Sequence, residues 1–558
     1  MAPSKQKNTI RKKETVKLFR EVKWMKDLEG AKIIEKDGCP IISMGKQRMP
    51  VLSSYFGYLY DDYGYTQLPK EGHKVHSKNL AKAGALDIVQ LPISIYVPGK
   101  RIDFERARSM SKGILKDNPD SKFFLRCHIF STPKFAKKYP DDIARFEDGT
   151  QNHWTKKPRI NSSQSRISFA SQNFREEAAL GVVNMLEKLK KENFANQVIG
   201  IIITTGWTGE FNWWQAYDRN KHIIDYSPAM QKAFQKLLKE KYHNNQKELA
   251  IAWSEPDIEF SKASLPSFNE IGVDIPDSCN GSVYNIPGAY GYFRSPDAPG
   301  NMKVIDFYEC MNLEVSKTFE YICRAIKEAS GRKLLTSGHF GGPLTIVGYH
   351  IEGQSAFNYL IDSPWVDIFV TPWTYEGRSP GEYLFFRGAT ESVSARKKVY
   401  WIECDTRTST AKQPYYGSPK TLELDKEILK RDLARLITTP FYGFWFEMKL
   451  GWYTEPEQIE TIKQISEIGA EAVYHDRSRE SQIAVIFDEK SMFFMSEWLN
   501  FILNARMIIQ ELGYIGTDYD VFNTEDIGSG RLEKYKFIIF TNAASLNNLQ
   551  REKIQKYL

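Results

Sequence analysis

Two glutamates stand out as residues able to do chemistry. Glu210 lies in TGWTGEFNWW, a short loop after an apolar run, and Glu403 closes the run KKVYWIE. Both are ringed by aromatics: Trp207, Trp213 and Trp214 beside the first, Tyr400 and Trp401 beside the second. A pair of carboxyls suits cleavage of a glycosidic bond. One, protonated, donates to the leaving oxygen; the other, ionised, attacks the anomeric carbon. A carboxyl separation of about 5–5.5 Å gives retention, whereas about 6.5–9.5 Å leaves room for a water and gives inversion. Aromatic packing helps to raise the pKa of the acid. A single glutamate after a strand is ordinarily a salt-bridged residue. Two of them, each beside tryptophans and at strand ends, argue for a site.

Other residues are placed to serve the same chemistry. Trp207, Trp213 and Trp401 offer ring faces on which sugar C–H faces can stack. Arg126, in KFFLRCHI, can hold a carboxylate bidentately. His339, in SGHFGG, can bond a hydroxyl, although a lone histidine is more often structural. Tyr375, in TPWTYEG, can orient the nucleophile, and Trp445 and Glu447, in FWFEMKLGWY, follow the last apolar run of the repeat. Glu376, Asp405 and Glu447 are further carboxylates near strand ends and rivals to the pair, Glu447 foremost.

Positioning these groups requires a regular scaffold. Apolar, β-branched runs at 85–92, 122–129, 198–205, 333–337, 366–371, 398–403 and 443–447 predict strands. Helical periodicity marks 174–192, 230–242, 305–329 and 424–437. With a short first strand near 50–58 the strands number eight, which predicts a (β/α)8 TIM barrel over 31–470, with a doubly wound open sheet as the rival. Catalytic groups then sit where strands end, at the C-terminal face. The Gly/Pro/Ser/Asn-rich stretch 267–301 reads as one long loop between the fourth and fifth strands.

A second α/β unit is predicted over 477–558. QIAVIF at 482–487 and KFIIFT at 536–541 read as buried strands around a helix at 496–512, a flavodoxin-like βαβ pattern. It lacks GxGxxG, so no nucleotide is assigned, and it reads as an incomplete domain. The basic run at 5–13 (KQKNTIRKK) belongs to a leader, 1–30, read as solvated and disordered. The net charge of +7 is mild for 558 residues, and no nucleic-acid-binding motif accompanies it. The six cysteines form no CxxC pair and no zinc spacing, so reduced thiols are expected. No signal-peptide core and no apolar run of about 18 residues is present, so no membrane contact is expected and the chain reads as cytoplasmic unless a leader has been removed.

From 133 to 266 the chain resembles glycoside hydrolase family 42, the β-galactosidases of a large retaining clan of (β/α)8 barrels. The matching stretches are PKFAKKYPDDIARFEDGTQ, SFASQNFREEA, the Glu210 loop, and a following helix with Lys241, Tyr242, Leu249 and Trp253. Asp306, Phe307 and the stretch 365–369 fall where that family has its fifth helix and sixth strand, and the segment from Arg477 resembles its trimerisation domain. The resemblance implies Glu210 as general acid/base, Glu403 as nucleophile, a β-galactoside or related β-linked carbohydrate as substrate, and a homotrimer. It also implies a tryptophan flooring the sugar site, at Trp445. No metal or organic cofactor is required by this chemistry, and the family's occasional zinc-binding cysteine cluster is missing. One departure matters. The clan places Asn, which binds the sugar 2-hydroxyl, directly before the acid/base, and here that residue is Gly209. TGEF is also similar to the GEL motif of the inverting β-amylases. An inverting glucan hydrolase, an inactive carbohydrate-binding barrel, and a scaffold assembling through the second unit therefore stay open.

Overall fold

The computed structural model describes residues 19–55, 79, 81, 83–85, 87–99, 101–151, 165–214, 224–271, 275–277, 282–284, 293–342, 344, 352–411, 417–446, 451–495, 497–500, 503–504 and 509–558. Eight parallel strands carry the fold: β1 Leu52–Tyr55, β2 Ile88–Val97, β3 Lys122–Ser131, β4 Val198–Thr204, β5 Leu335–His339, β6 Ile368–Pro372, β7 Val399–Cys404 and β8 Tyr442–Trp445. Each pairs with its successor, and β8 pairs back onto β1, so the sheet closes. This is a (β/α)8 barrel, as the strand runs predict. Barrel strands are covered on both faces and so read as continuous apolar runs; every residue of β4 (VIGIIIT) and of β7 (VYWIEC) is buried. Gly200 permits close interior packing, since a Cβ there would stand 2.2 Å from the Phe124 ring on β3.

The surrounding helices start on side-chain caps. Ser171, Ser227 and Thr421 accept from backbone N–H groups at the starts of Gln172–Leu189, Pro228–Lys241 and Leu422–Ile437. Gln172–Leu189 packs on Asn301–Ala329, and a buried Arg175–Glu314 pair at 2.6 Å ties the two. Breaking such a pair from one side costs about 3–5 kcal/mol, because the remaining charge stays buried.

The expected solvated leader is corrected from residue 22 onward. Val22, Met25 and Leu28 are buried in the main core. After them Lys32–Lys36, Cys39–Met44 and Gln47–Arg48 form an antiparallel sheet. It closes the N-terminal end of the barrel, with Ala31 N–H donating to Lys333 O and Ile42 N–H to the Tyr442 hydroxyl. The basic run at 5–13 lies outside the described residues. The stretch 267–301, expected as one loop, holds among its described residues a short helix, Phe268–Ile271, and an antiparallel pair, Ile275–Asp277 with Ser282–Tyr284.

The second unit is a parallel three-stranded sheet of β9 Ile483–Phe487, β10 Tyr519–Asn523 and β11 Phe537–Asn542, with β9 in the centre. β10 was not expected, and of the anticipated helix at 496–512 the described residues, 497–500, 503–504 and 509–512, are all helical. The unit docks on the loops that follow β5 and β6. Val485, Phe487, Tyr519 and Val521 bury with Leu344, Phe385 and Ala389. Glu391 accepts from Val521 N–H at 2.7 Å and from Arg479 at 2.8 Å, and Arg396 meets Asp526 at 2.9 Å. No described helix is long and apolar enough to cross a membrane.

Candidate active site

Register brings the predicted residues to one end of the barrel. Glu403, near the end of β7, pairs across to Pro372 on β6 and Phe444 on β8. His339 is the last residue of β5, and its Nε2 lies 2.8 Å from Glu403 Oε2. Both side chains are buried. Burial first, then the Arg126 cation, drives His339 down to about 3, so the imidazole is neutral. Burial also pushes Glu403 up to about 8, against Arg126, Arg387 and Arg378 and with the help of Asp405. One proton therefore lies on the Nε2···Oε2 axis: Nε2–H donates to the carboxylate, or the carboxyl O–H donates to Nε2.

Glu210 follows β4 in a loop that folds back on itself. Trp207 N–H donates to Asn212 O, and Phe211 N–H to Thr205 O, both at 3.0 Å. Gly209, where the resemblance expects Asn, has φ +83°, in the left-handed region that favours glycine. The half-buried Glu210 carboxyl accepts from Thr208 Oγ1 at 3.0 Å. It is pushed above the ordinary carboxyl range, by burial first, with the Glu403 charge adding to it and His339, Thr208 and Arg126 opposing. The Glu403 charge thus helps Glu210 to keep its proton past the pH at which an isolated carboxyl loses it. The singly protonated pair is the state that two-carboxyl glycoside chemistry uses.

Arg126 lies inside the barrel beneath the pair, with Nη1 3.3 Å from Gln90 Oε1. Tyr375 follows β6, part of its ring open to solvent, and is flanked by the Arg378 and Arg387 guanidiniums, each 4.5 Å from its centroid. Arg378 is held by Asp405 at 2.6 Å, which makes Asp405 the partner of that cation. Glu376 accepts from Thr374 at 2.8 Å. Trp445 ends β8 edge-on to Tyr453, and its indole N–H has no hydrogen-bond partner among the described residues. Glu447 lies outside the described residues.

Two tryptophans expected to stack on sugar, Trp213 and Trp401, are packed instead. Trp213 is fully buried, donates to Met311 O at 3.2 Å and meets Phe169 edge-on, so it fastens the loop to Asn301–Ala329. Trp401 is fully buried between Phe124 and Phe444, two residues below Glu403 on the barrel floor. Trp207 and Trp445 are alike nearly covered, at 2% and 3% exposed. Residues that sequence reasoning missed are Gln90, His128, Thr204, Arg378 and Arg387. Of these, His128 Nδ1 and Thr204 Oγ1 lie 2.7 Å apart across β3 and β4.

Fold and site together define a (β/α)8 barrel with two glutamates at one end, after β4 and on β7, and an α/β unit docked on the loops after β5 and β6. No family model and no curated protein matches the sequence. The structure does resemble those of family 42 β-galactosidases. A β-galactosidase from the psychrophilic Marinomonas ef1 superposes with TM-score 0.54 at 14% identity, covering 91% of this chain and 74% of that one. A cold-adapted β-galactosidase from Rahnella sp. R3 gives 0.55 at 13%, covering 88% and 67%. A GH42 β-galactosidase from G. stearothermophilus gives 0.55 at 11%, covering 91% and 70%. At these identities the likeness is one of fold.

Proposed function

We propose that this protein is a glycoside hydrolase cleaving β-linked galactosides or related β-glycosides by retaining double displacement. The observation that supports this most is geometric: Glu210, in the loop after β4, and Glu403, near the end of β7, are brought to the same end of the barrel, where the Glu403 charge acts on Glu210 and His339 Nε2 lies 2.8 Å from Glu403 Oε2. Glu403 attacks the anomeric carbon as the carboxylate, with neutral His339 donating Nε2–H to it. Glu210 protonates the leaving oxygen and then takes a proton from the incoming water. The Trp445 N–H, which has no hydrogen-bond partner among the described residues, and the open ring of Tyr375 supply contacts to the sugar.

Glu403→Ala tests the reading. Turnover of nitrophenyl β-glycosides should fall to near background, and azide should restore it by forming a glycosyl azide of inverted configuration. Full activity in the variant removes Glu403 from the mechanism. The sugar is set by assaying galactosides, glucosides, mannosides and arabinosides in parallel. Assembly as a homotrimer belongs to the same proposal, and a monomer in light scattering rejects that part.

A further inference from the structure

The Glu210 loop closes through a ring of side-chain hydrogen bonds. Gln354, in the segment after β5, donates its amide to Glu210 O at 2.7 Å and to Asn212 Oδ1 at 3.1 Å. Asn212 donates in turn to Thr208 Oγ1 at 3.1 Å, and Thr208 donates to Glu210 Oε2 at 3.0 Å. The chain thus grips Glu210 at both ends, by its backbone carbonyl and by its carboxyl. Its outer anchor is firm: Trp213 N–H donates to Glu352 O and Ser355 N–H to Asn312 Oδ1, both at 2.9 Å. Gln354 and Asn212 are buried, so the bond between them is shielded from water, and the other three are part-buried.

The direction of the bonds carries the argument. Asn212 spends its amide on the Thr208 oxygen, so the Thr208 hydroxyl hydrogen is left to point at Glu210. A hydroxyl donating to a carboxyl favours the ionised form. Glycine at 209 allows the left-handed turn but offers no side chain to orient the carboxyl. The relay does so from the next β-strand's loop instead.

We propose that Gln354, Asn212 and Thr208 are positioning residues that hold the Glu210 carboxyl in register with Glu403 and set the pH at which it gives up its proton. This rests on the reading of Glu210 as proton donor. The other groups acting on Glu210 are Glu403, His339 and Arg126 from β7, β5 and β3, and Tyr375 senses its charge from the loop after β6. They are common to wild type and variants, so a change at Thr208 isolates the relay.

The test compares wild type with Thr208→Val, Thr208→Ser and Gln354→Leu. Thr208→Val keeps the shape and removes the donor, so the alkaline limb of kcat/KM should move up by about one pH unit, and Thr208→Ser should restore it. Gln354→Leu should lower kcat about tenfold with KM nearly unchanged. The Glu210 carboxyl is followed independently by its infrared C=O stretch, assigned by subtraction of Glu210→Gln. A Thr208→Val shift in that titration, in a protein that hydrolyses no glycoside, upholds the relay and rejects the hydrolase reading. Hydrolysis with an unmoved limb, an unmoved infrared titration and an unchanged Gln354→Leu rate overturns the relay.

Discussion

His339 Nε2 and Glu403 Oε2 stand 2.8 Å apart with both side chains buried, at the ends of strands β5 and β7. The imidazole is neutral, so its donation is a dipolar support of the carboxylate and not an ion pair. Removing it leaves Glu403 less able to ionise. His339→Ala should cut kcat/KM by about 100-fold, the scale of losing one preorganised donor. The acidic limb should also move to higher pH, since ionised Glu403 has lost a partner. A rate profile with an unmoved acidic limb would show that His339 only fills space.

Glu403 also links stability to pH. Its folded-state pKa is about 8, above the unfolded value near 4.3. The native state therefore keeps a proton that the unfolded state releases between these limits. That stabilisation is complete below about pH 4 and is lost as pH rises through about 8. Glu403→Gln removes the dependence. The variant should be more stable than wild type at pH 8, by about 1–3 kcal/mol in denaturant titration, with the gain vanishing towards pH 4.5.

Most of the barrel was legible because its strands are buried on both faces, which leaves uninterrupted apolar runs such as VIGIIIT and VYWIEC. β10 escaped notice for the opposite reason. Its YDVFN carries Asp520 and Asn523, buried polar residues whose cost is met by partners distant in sequence, including Ser481 Oγ at 2.7 Å and the Tyr535 hydroxyl for Asp520. The strand Cys39–Met44 is buried at every residue, yet its antiparallel partner Lys32–Lys36 is largely open, so no clear alternation marks the pair. The placement of Glu403 and His339 near strand ends, and of Glu210 in the loop after β4, was legible in the apolar runs that precede them. Trp213 was misread because adjacency in sequence to Glu210 says nothing of where an indole points. A folded loop turns it onto Met311 O. Arg378 and Arg387 gain meaning only from tertiary placement beside Tyr375.

The second unit braces the loop that carries Tyr375, Arg378 and Arg387. Phe385 of that loop is fully buried against Val485, Phe487 and Tyr519 of the second sheet. Truncation to alanine leaves a cavity and should cost about 3–5 kcal/mol of stability. Activity should fall even where the protein stays folded, because the loop holding the two arginines loses its support. Denaturant unfolding and kcat measured well below the midpoint separate the two effects. Phe385→Ala with unaltered kcat would show that the second unit stabilises the loop without tuning the site.

Glu210 and Glu403 should fail in different ways, and that difference fixes their roles. A nucleophile is needed for every substrate, whereas an acid matters in proportion to the basicity of the leaving group. Glu210→Ala should therefore retain much of its first step on dinitrophenyl glycosides, whose leaving group needs no proton. It should lose about 100-fold or more on alkyl or sugar aglycones. Its second step stalls for want of a base, so the glycosyl-enzyme accumulates and gives a burst. Azide, which needs no deprotonation, should then release a glycosyl azide of retained configuration, opposite to the product from Glu403→Ala. If Glu210→Ala loses activity equally on all leaving groups and yields the inverted azide, the two assignments must be exchanged. That outcome would also place the relay from Gln354 on the nucleophile and not on the acid.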